Sequence, residues 1–538
     1  MIEKNDLNEK KQITKEEESK KEVANINLDS GNSCEIGPLT ARQRREKAFQ
    51  IRQNAALFQK NMPVPSHPCN GDEELYPNKI GNFSKSLPHN KLGEVSINAY
   101  KVFIKALMTG NPDTFEDIPL GGVVKLANPQ ASYAFDLVGP DSHHLNTIVP
   151  PSFSSAWLAS EMAEDYWSAL TRDVPFIDYD TNNCTIAAAS DLSKFSDFRG
   201  PKQEGAVTTK TLFRGNTPGD LAGPYISQFF YENVPFGNKT IIQRYYSPKT
   251  KNDYMTSYNE WLNIQNGVDP NISINFEHTR RYIRNGRDLG QWVHVDFTYQ
   301  GMLTACLILL SFGQKALDPE NPYLCSKTQV GFITFGAAQI LDLVAKATRV
   351  ALEAAWFQKF LVHRMLRPEE FGGCVQNNLT GATKYPIHSE LFNSKALSKV
   401  FSKFGTYLLP MAYPEGCPTH PSYPAGHACV AGAGATMLKA FFNESFIISN
   451  PVVASADGLS LVPYVGEALT IGGELNKLAS NIAIGRNLAG VHWRVDGSEG
   501  LKLGEKVAIR ILQDYKNTNN EDFSGFSLTK FDGTTIII

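Results

Sequence analysis

Residues 335–368 read FGAAQILDLVAKATRVALEAAWFQKFLVHRMLRP. Ile340, Leu343, Val344, Ala347 and Leu352 fall at helical spacing, no proline interrupts them, and Pro368 closes the run. That spacing predicts one helix from Phe335 to Leu366, about 30 residues and long enough to cross a domain. Shorter helical patterns follow over Val95–Met108, Ser154–Arg172, Thr217–Tyr231, Tyr254–Gln265 and Asp288–Phe312. No short β-branched strands alternate with helices, and no repeat of fixed period is present. The sequence therefore predicts an all-α protein of packed helical bundles with long loops rich in Pro, Gly and Asn.

The 538 residues carry 52 Lys+Arg against 55 Asp+Glu, a net charge of −3, which argues against a nucleic-acid partner. With 42% hydrophobic residues the chain can bury a large core. Residues 1–38 are a Lys/Glu polyampholyte running into Gly, Ser and Asn, too polar to repay the entropy of ordering, and are expected to be a disordered tail. Order is expected to begin near Thr40, a plausible N-cap. Residues 39–330 are read as an N-terminal helical scaffold, and 331–538 as a C-terminal bundle that carries the functional site. The longest apolar run, Met302–Phe312, is too short to span a bilayer, so no membrane association is expected. No secretory signal is visible; a cytoplasmic protein is expected, with non-standard export left open. Eight scattered cysteines form no Cys-x-x-Cys pair, and Cys417 and Cys429 read as buried thiols. His143-His144, after Asp141, reads as a surface turn with diverging side chains.

The chemistry concentrates in four segments. Steps of three and four put Trp356, Lys359, His363 and Arg367 on one cationic helix face. His420-Pro-Ser-Tyr-Pro424-Ala425-Gly426-His427 makes a tight entry into a helix of small residues, where the Gly426 and His427 amides face outward and could receive an oxyanion. Gly432 and Gly434, further along, suit close helix packing. Gly485-Arg486 and His492 complete the set, with Asp496 one helical turn beyond His492. Asp496 can accept from one ring nitrogen and leave Nε2 as a nucleophile or a metal ligand. Each element alone has a plain structural reading. Together, two histidines, three strong cations and a helix N-terminus describe a site for a tetrahedral oxoanion.

These blocks resemble the phosphatidic-acid-phosphatase type 2 and vanadium haloperoxidase superfamily, whose signature runs Lys-x6-Arg-Pro, Pro-Ser-Gly-His and Ser-Arg-x5-His-x3-Asp. Here the blocks read Lys359-x7-Arg367-Pro368, Pro424-Ala425-Gly426-His427 and Gly485-Arg486-x5-His492-x3-Asp496. The surrounding text is similar to the bromoperoxidase branch, in Phe360-Leu-Val-His363-Arg364, Tyr413-Pro-Glu-Gly416, His420-Pro-Ser-Tyr-Pro, Leu438-Lys-Ala-Phe-Phe442 and Tyr166-Trp-Ser-Ala-Leu-Thr-Arg172. The resemblance implies a vanadate (vanadium(V)) cofactor ligated by His492, with its oxygens held by Lys359, Arg367, Arg486 and the Gly426 amide. It further implies an acid–base role for His427, a halide-setting position for His420, where chloroperoxidases carry phenylalanine, and a pocket position for Trp356. The reaction implied is oxidation of bromide and iodide by hydrogen peroxide to a hypohalous acid, which halogenates an organic acceptor. A homo-oligomer, a dimer or larger, is implied as well.

Three departures stand out. The first block is one residue longer, as in the bromoperoxidase branch. Gly485 replaces a serine, and so does Ala425, where a lost hydroxyl donor to an anion is worth roughly 1.5–3 kcal/mol. Two other readings use the same residues: an acid phosphatase with His492 as nucleophile, and a decayed structural or oligomer-forming homologue.

Overall fold

The computed structural model describes residues 37–538. Almost all of the expected tail, residues 1–36, thus lies outside the described residues. Two compact units are present, one ending at Asn61 and the other running from Met62 to Ile538. In the first, helix α1 (Ala41–Lys60) starts at Thr40, whose hydroxyl accepts from the Gln43 amide while the Gln43 side chain accepts from the Thr40 amide. The sequence boundary at 330/331 falls inside the second unit.

The second unit is built from helices α2 (Ile97–Thr109), α3 (Ala156–Thr171), α4 (Asn183–Leu192), α5 (Tyr258–Gln265), α6 (Gly286–Val295), α7 (Gln300–Ser311), α8 (Ala337–Trp356), α9 (Pro368–Leu379), α10 (Lys395–Phe404), α11 (Gly426–Lys439), α12 (Ile471–Leu488) and α13 (Arg494–Tyr515). Among the described residues the strands are confined to three two-stranded antiparallel ribbons, such as Val234–Phe236 with Lys239–Ile241, so the all-α expectation holds. No single helix among the described residues is long and apolar enough to cross a membrane.

Helix α11 is the hub and packs on α8, α12 and α13. Its residues are almost all buried and nine of its fourteen are Gly, Ala, Cys or Thr, which lets neighbouring backbones approach closely. A Cβ on Gly432 would lie 2.2 Å from the Leu501 carbonyl oxygen, and one on Gly504 2.1 Å from that of Cys429. Gly434 likewise leaves room for Met302. Glycine is therefore a packing requirement along this seam.

Three expected helices differ. Phe335–Leu366 is not one α-helix: α8 ends at Trp356, continues as a π-helical turn over Phe357–His363, and stops at Arg364, which sits in the left-handed region at φ 42°. Asp288–Phe312 is two helices, α6 and α7, bent by 98° around residues 296–299. Thr217–Tyr231 is loop except for the 3-10 turn Gln228–Phe230, because Pro218, Gly219, Gly223 and Pro224 punctuate it and both glycines take positive φ.

Candidate oxoanion site

The breaks in α8 and in α6–α7 build the site. An uninterrupted helix would separate Lys359 from Arg367 by about 80° around its axis. Instead the wide π turn presents Lys359, and the chain reverses so that Arg367 becomes the N-cap of α9. Glu370 accepts from the Arg367 amide at 2.9 Å and from those of Ser84 and Lys85, which anchors the turn. Burial pushes the Glu370 carboxyl up to about 7. His363 does not join the cationic face: it turns to the Thr147 hydroxyl, 3.1 Å away, and packs on Tyr423.

Main-chain bonds rivet the other segments to this turn. The Ser422 amide donates to the Met365 carbonyl, the Ala425 amide to that of Asp496, and the Val491 amide to that of Arg486. The Trp493 indole N–H donates to the Leu366 carbonyl at 2.9 Å. Six of the predicted residues, Lys359, Arg367, His420, Arg486, His492 and Asp496, are thereby buried together.

Lys359 Nζ donates to the carbonyls of Pro421 and Ser422 at 2.7 and 2.6 Å. The Arg367 guanidinium donates to the carbonyls of His420 and Val491, approaches His420 Nδ1 at 3.0 Å, and lies 3.0 Å from His492 Nε2. A guanidinium can only donate, so His492 Nε2 is an acceptor and Nδ1 bears the proton. Nδ1 is 2.6 Å from Asp496 Oδ2. Burial first, and then Arg367 and Lys359, hold the His492 pKa well below the ordinary histidine range. The His420 pKa is lowered well below its usual value in the same way, and its ring lies 4.8 Å from that of Trp356. Burial and the other cations also lower the Lys359 pKa well below its usual value, with Asp496 opposing. Asp496 is itself pushed up to about 6 by burial, and also accepts from the Ser422 hydroxyl and the Trp493 amide.

The Gly426 and His427 amides open α11 and have no main-chain or side-chain acceptor among the described residues, and Ala425 at the N-cap offers no side-chain bond. His427, a third exposed, places Nε2 3.0 Å from Asp296 Oδ1. Because a carboxylate accepts, Nε2 carries the proton and Nδ1 is left with its lone pair. Burial and then Arg486 lower the His427 pKa, against Asp296. No sequence signal marks Asp296 as part of the site. It occupies the bend between α6 and α7, and the only hint of that bend was the weak helix propensity of Val295, Asp296 and Thr298. Ser422, also unassigned, joins through Asp496. A Cβ on Gly485 would lie 3.0 Å from a Val293 methyl and 3.2 Å from Leu289, so a serine there would press on α6, and the glycine suits the close α6–α12 packing. Outside the site, His143 and His144 do not diverge: their rings are 4.2 Å apart, and His144 is buried.

One feature distinguishes these cations. Among the described residues the buried lysines and arginines are Lys85, Arg172, Arg287, Lys359, Arg367, Lys439, Lys477 and Arg486. Five have a carboxylate oxygen within 4.0 Å; Lys359, Arg367 and Arg486 have none. Arg486 donates to the Val293 carbonyl at 2.7 Å but leaves a buried Nε without a partner. Three cations without a carboxylate within 4.0 Å act on the His492 imidazole, one of them with an unpartnered N–H, and two free amides open α11 just after Ala425, which is bonded to Asp496, an arrangement suited to a small, multiply charged oxoanion.

Comparison with known proteins agrees with this chemistry. Residues 340–521 match the family model described as the VCPO second helical-bundle domain. The chain is 34% identical over 529 residues to a vanadium-dependent bromoperoxidase of Ascophyllum nodosum, covering 93% of each protein. It is 35% identical over 592 residues to one of Corallina pilulifera, covering 92% of this chain and 99% of the relative. The solved homohexameric structure of a second vanadate-dependent bromoperoxidase from A. nodosum superposes with a TM-score of 0.89 at 32% identity, covering 96% and 95% of the two chains. With more than nine-tenths of its length matched and its oxoanion residues gathered in one place, this chain belongs to the vanadium-dependent bromoperoxidase family.

Proposed function

We propose that the protein is a vanadate-dependent haloperoxidase that oxidises bromide and iodide with hydrogen peroxide to a hypohalous acid, which halogenates an organic acceptor. The observation that carries this reading is the set of three buried cations without carboxylate partners around the acceptor nitrogen of His492. The donor set fits vanadate. His492 Nε2 would ligate the metal, and Lys359, Arg367, Arg486 and the Gly426 amide would hold its oxygens. Vanadium(V), when bound, supplies a Lewis acid that activates peroxide without changing oxidation state.

The chain's own groups supply positioning and proton handling. Asp496 keeps the His492 proton on Nδ1 and turns Nε2 to the site. An anion entering there takes over the Arg367 N–H that now caps the ring. His427 Nδ1 accepts the proton of incoming peroxide, and Asp296 holds the opposite N–H and stabilises the imidazolium that forms. His420, neutral beside Arg367 and Trp356, forms the wall on which the halide is presented. Assembly as a homo-oligomer is proposed from the homohexameric relative.

The test is bromination of a phenol-type dye with bromide and peroxide, in protein stripped of metal and reloaded with orthovanadate, beside His492→Ala. Activity that requires vanadate and disappears in the variant supports the reading. Phosphate-ester hydrolysis by the metal-free protein through His492, without bromination, would replace it with a phosphatase. Silence in both assays would leave a structural homologue.

A further inference from the structure

A second cavity, of about 390 Å³, opens beside the site. One wall is formed by two backbone segments that bridge antiparallel, Tyr245 with Arg281 and Pro248 with Phe276. The other is α6 and the start of α7, with Asp296 between them. Asp296 and Gln300 are shared with a smaller cleft lined by His427, so the cavity adjoins the proton-handling pair.

Its lining is that of a ligand site. Arg244 and Arg280 have no carboxylate within 4.0 Å among the described residues, although the neighbouring Arg281 and Arg284 both pair with Glu277. Arg280 lies 4.4 Å over the Tyr246 ring and donates to its hydroxyl at 2.7 Å, which fixes a guanidinium beside an aromatic surface. Phe276, 38% exposed, and Val295, 70% exposed, extend that apolar surface. Gln291 is only 6% exposed, yet its Oε1 is buried without a hydrogen-bond partner. Leaving such an acceptor unsatisfied is costly, and a polar ligand group would satisfy it.

We propose that this cavity binds the organic acceptor, and that its preferred ligand is a phenol carrying a carboxylate. The arginines take the carboxylate, Gln291 the hydroxyl, and Tyr246 and Phe276 the ring. The inference rests on the haloperoxidase reading for its source of oxidant. Hypobromous acid made at the neighbouring site transfers its bromine to a ring carbon, forming the C–Br bond. The displaced ring proton leaves with the hydroxide as water, so one acid is consumed for each C–H replaced.

The experiment uses vanadate-loaded protein with 4-hydroxybenzoate and phenol as probes. Calorimetric titration without bromide or peroxide should show 4-hydroxybenzoate binding roughly ten- to a hundredfold more tightly than phenol. That preference should disappear in Arg244→Gln/Arg280→Gln, and should shrink in the single variant Arg280→Gln if the double variant does not fold. In turnover, the ratio of kcat/KM for the two acceptors should exceed the ratio of their rates with hypobromous acid alone, and should fall to it in the arginine variants. Equal binding of both probes, or an enzymatic ratio equal to that of the free acid, overturns the proposal. Arginine-dependent binding by a protein that does not oxidise bromide upholds the cavity and overturns the haloperoxidase reading, so the two failures are distinguishable.

Discussion

Two regions of the core bury positive charge in opposite ways. Around α6, Arg172 sits 2.6 Å from Asp253, while Arg287 bridges Asp173 at 2.5 Å and Asp253 at 3.0 Å. Lys85 with Glu369 and Lys477 with Glu474 repeat the pattern elsewhere. In the oxoanion site, Lys359, Arg367 and Arg486 instead donate to main-chain carbonyls, which accept hydrogen bonds without cancelling charge. Asp173 and Asp253 hold the Arg287 pKa above its usual value despite burial and oppose the burial that lowers that of Arg172, while the other cations help push that of Lys359 far below its own. Charge balance in the first region serves the fold, and charge imbalance in the second is kept for a ligand.

Replacing one cation in each region breaks or sharpens this contrast. Arg172→Met removes the buried guanidinium nearest Asp253, leaving that carboxylate to Arg287 and the partly exposed Lys403, and should cost about 3–5 kcal/mol of stability in denaturant unfolding of the vanadate-free protein. Arg486→Met removes a cation from a repulsive cluster and should change the same stability by no more than about 1 kcal/mol, while weakening vanadate binding about ten- to a hundredfold. Equal losses of stability would mean that the site cations are structural.

A smaller effect separates burial from site chemistry. His363 lies four residues from Lys359 but outside the anion site, and burial holds its pKa at about 3. The unfolded chain, with an ordinary histidine pKa near 6.5, therefore binds the proton first. Its stabilising contribution is complete above about pH 6.5 and is lost as pH falls toward 3, by up to about 1.4 kcal/mol per pH unit. His363→Leu should lower stability at pH 8, where the Thr147 bond is lost, and flatten the decline between pH 6.5 and 4. An unchanged slope in urea titrations at those pH values would show that another group carries the acid sensitivity.

What was legible in the sequence follows the same division. The hub helix α11 and its glycines could be read because a run of small residues has few other uses, and Lys359, Arg367, Arg486 and His492 because their residue types and spacing carry the chemistry. The π turn and the bend at Asp296 could not, since neither contains proline or a helix-breaking glycine. Both arise where tertiary packing overrides a periodic pattern, and each delivers a group that the pattern alone would point elsewhere. His363 leaves the cationic face for that reason: its place on an ideal helix matches Lys359, and the wider turn carries it toward Thr147. Asp296 reaches His427 across 131 residues of sequence, a pairing that no local spacing encodes.

The smallest expected effect bears on Ala425. This residue is the N-cap of α11, in extended backbone at φ −69° and ψ 124°, where serine would accept from an amide of the first turn. One hydroxyl can do two things at once, since its oxygen can cap the helix while its hydrogen points at a bound anion. Ala425→Ser should therefore raise the stability of the vanadate-free protein by about 1 kcal/mol, read by urea unfolding. It should also tighten vanadate binding by about tenfold, read by reconstitution of bromination at limiting orthovanadate. If stability rises and affinity does not, the uncompensated charge of Lys359, Arg367 and Arg486 already saturates the anion, and the lost hydroxyl was dispensable because the contrast between the two buried regions is large enough without it.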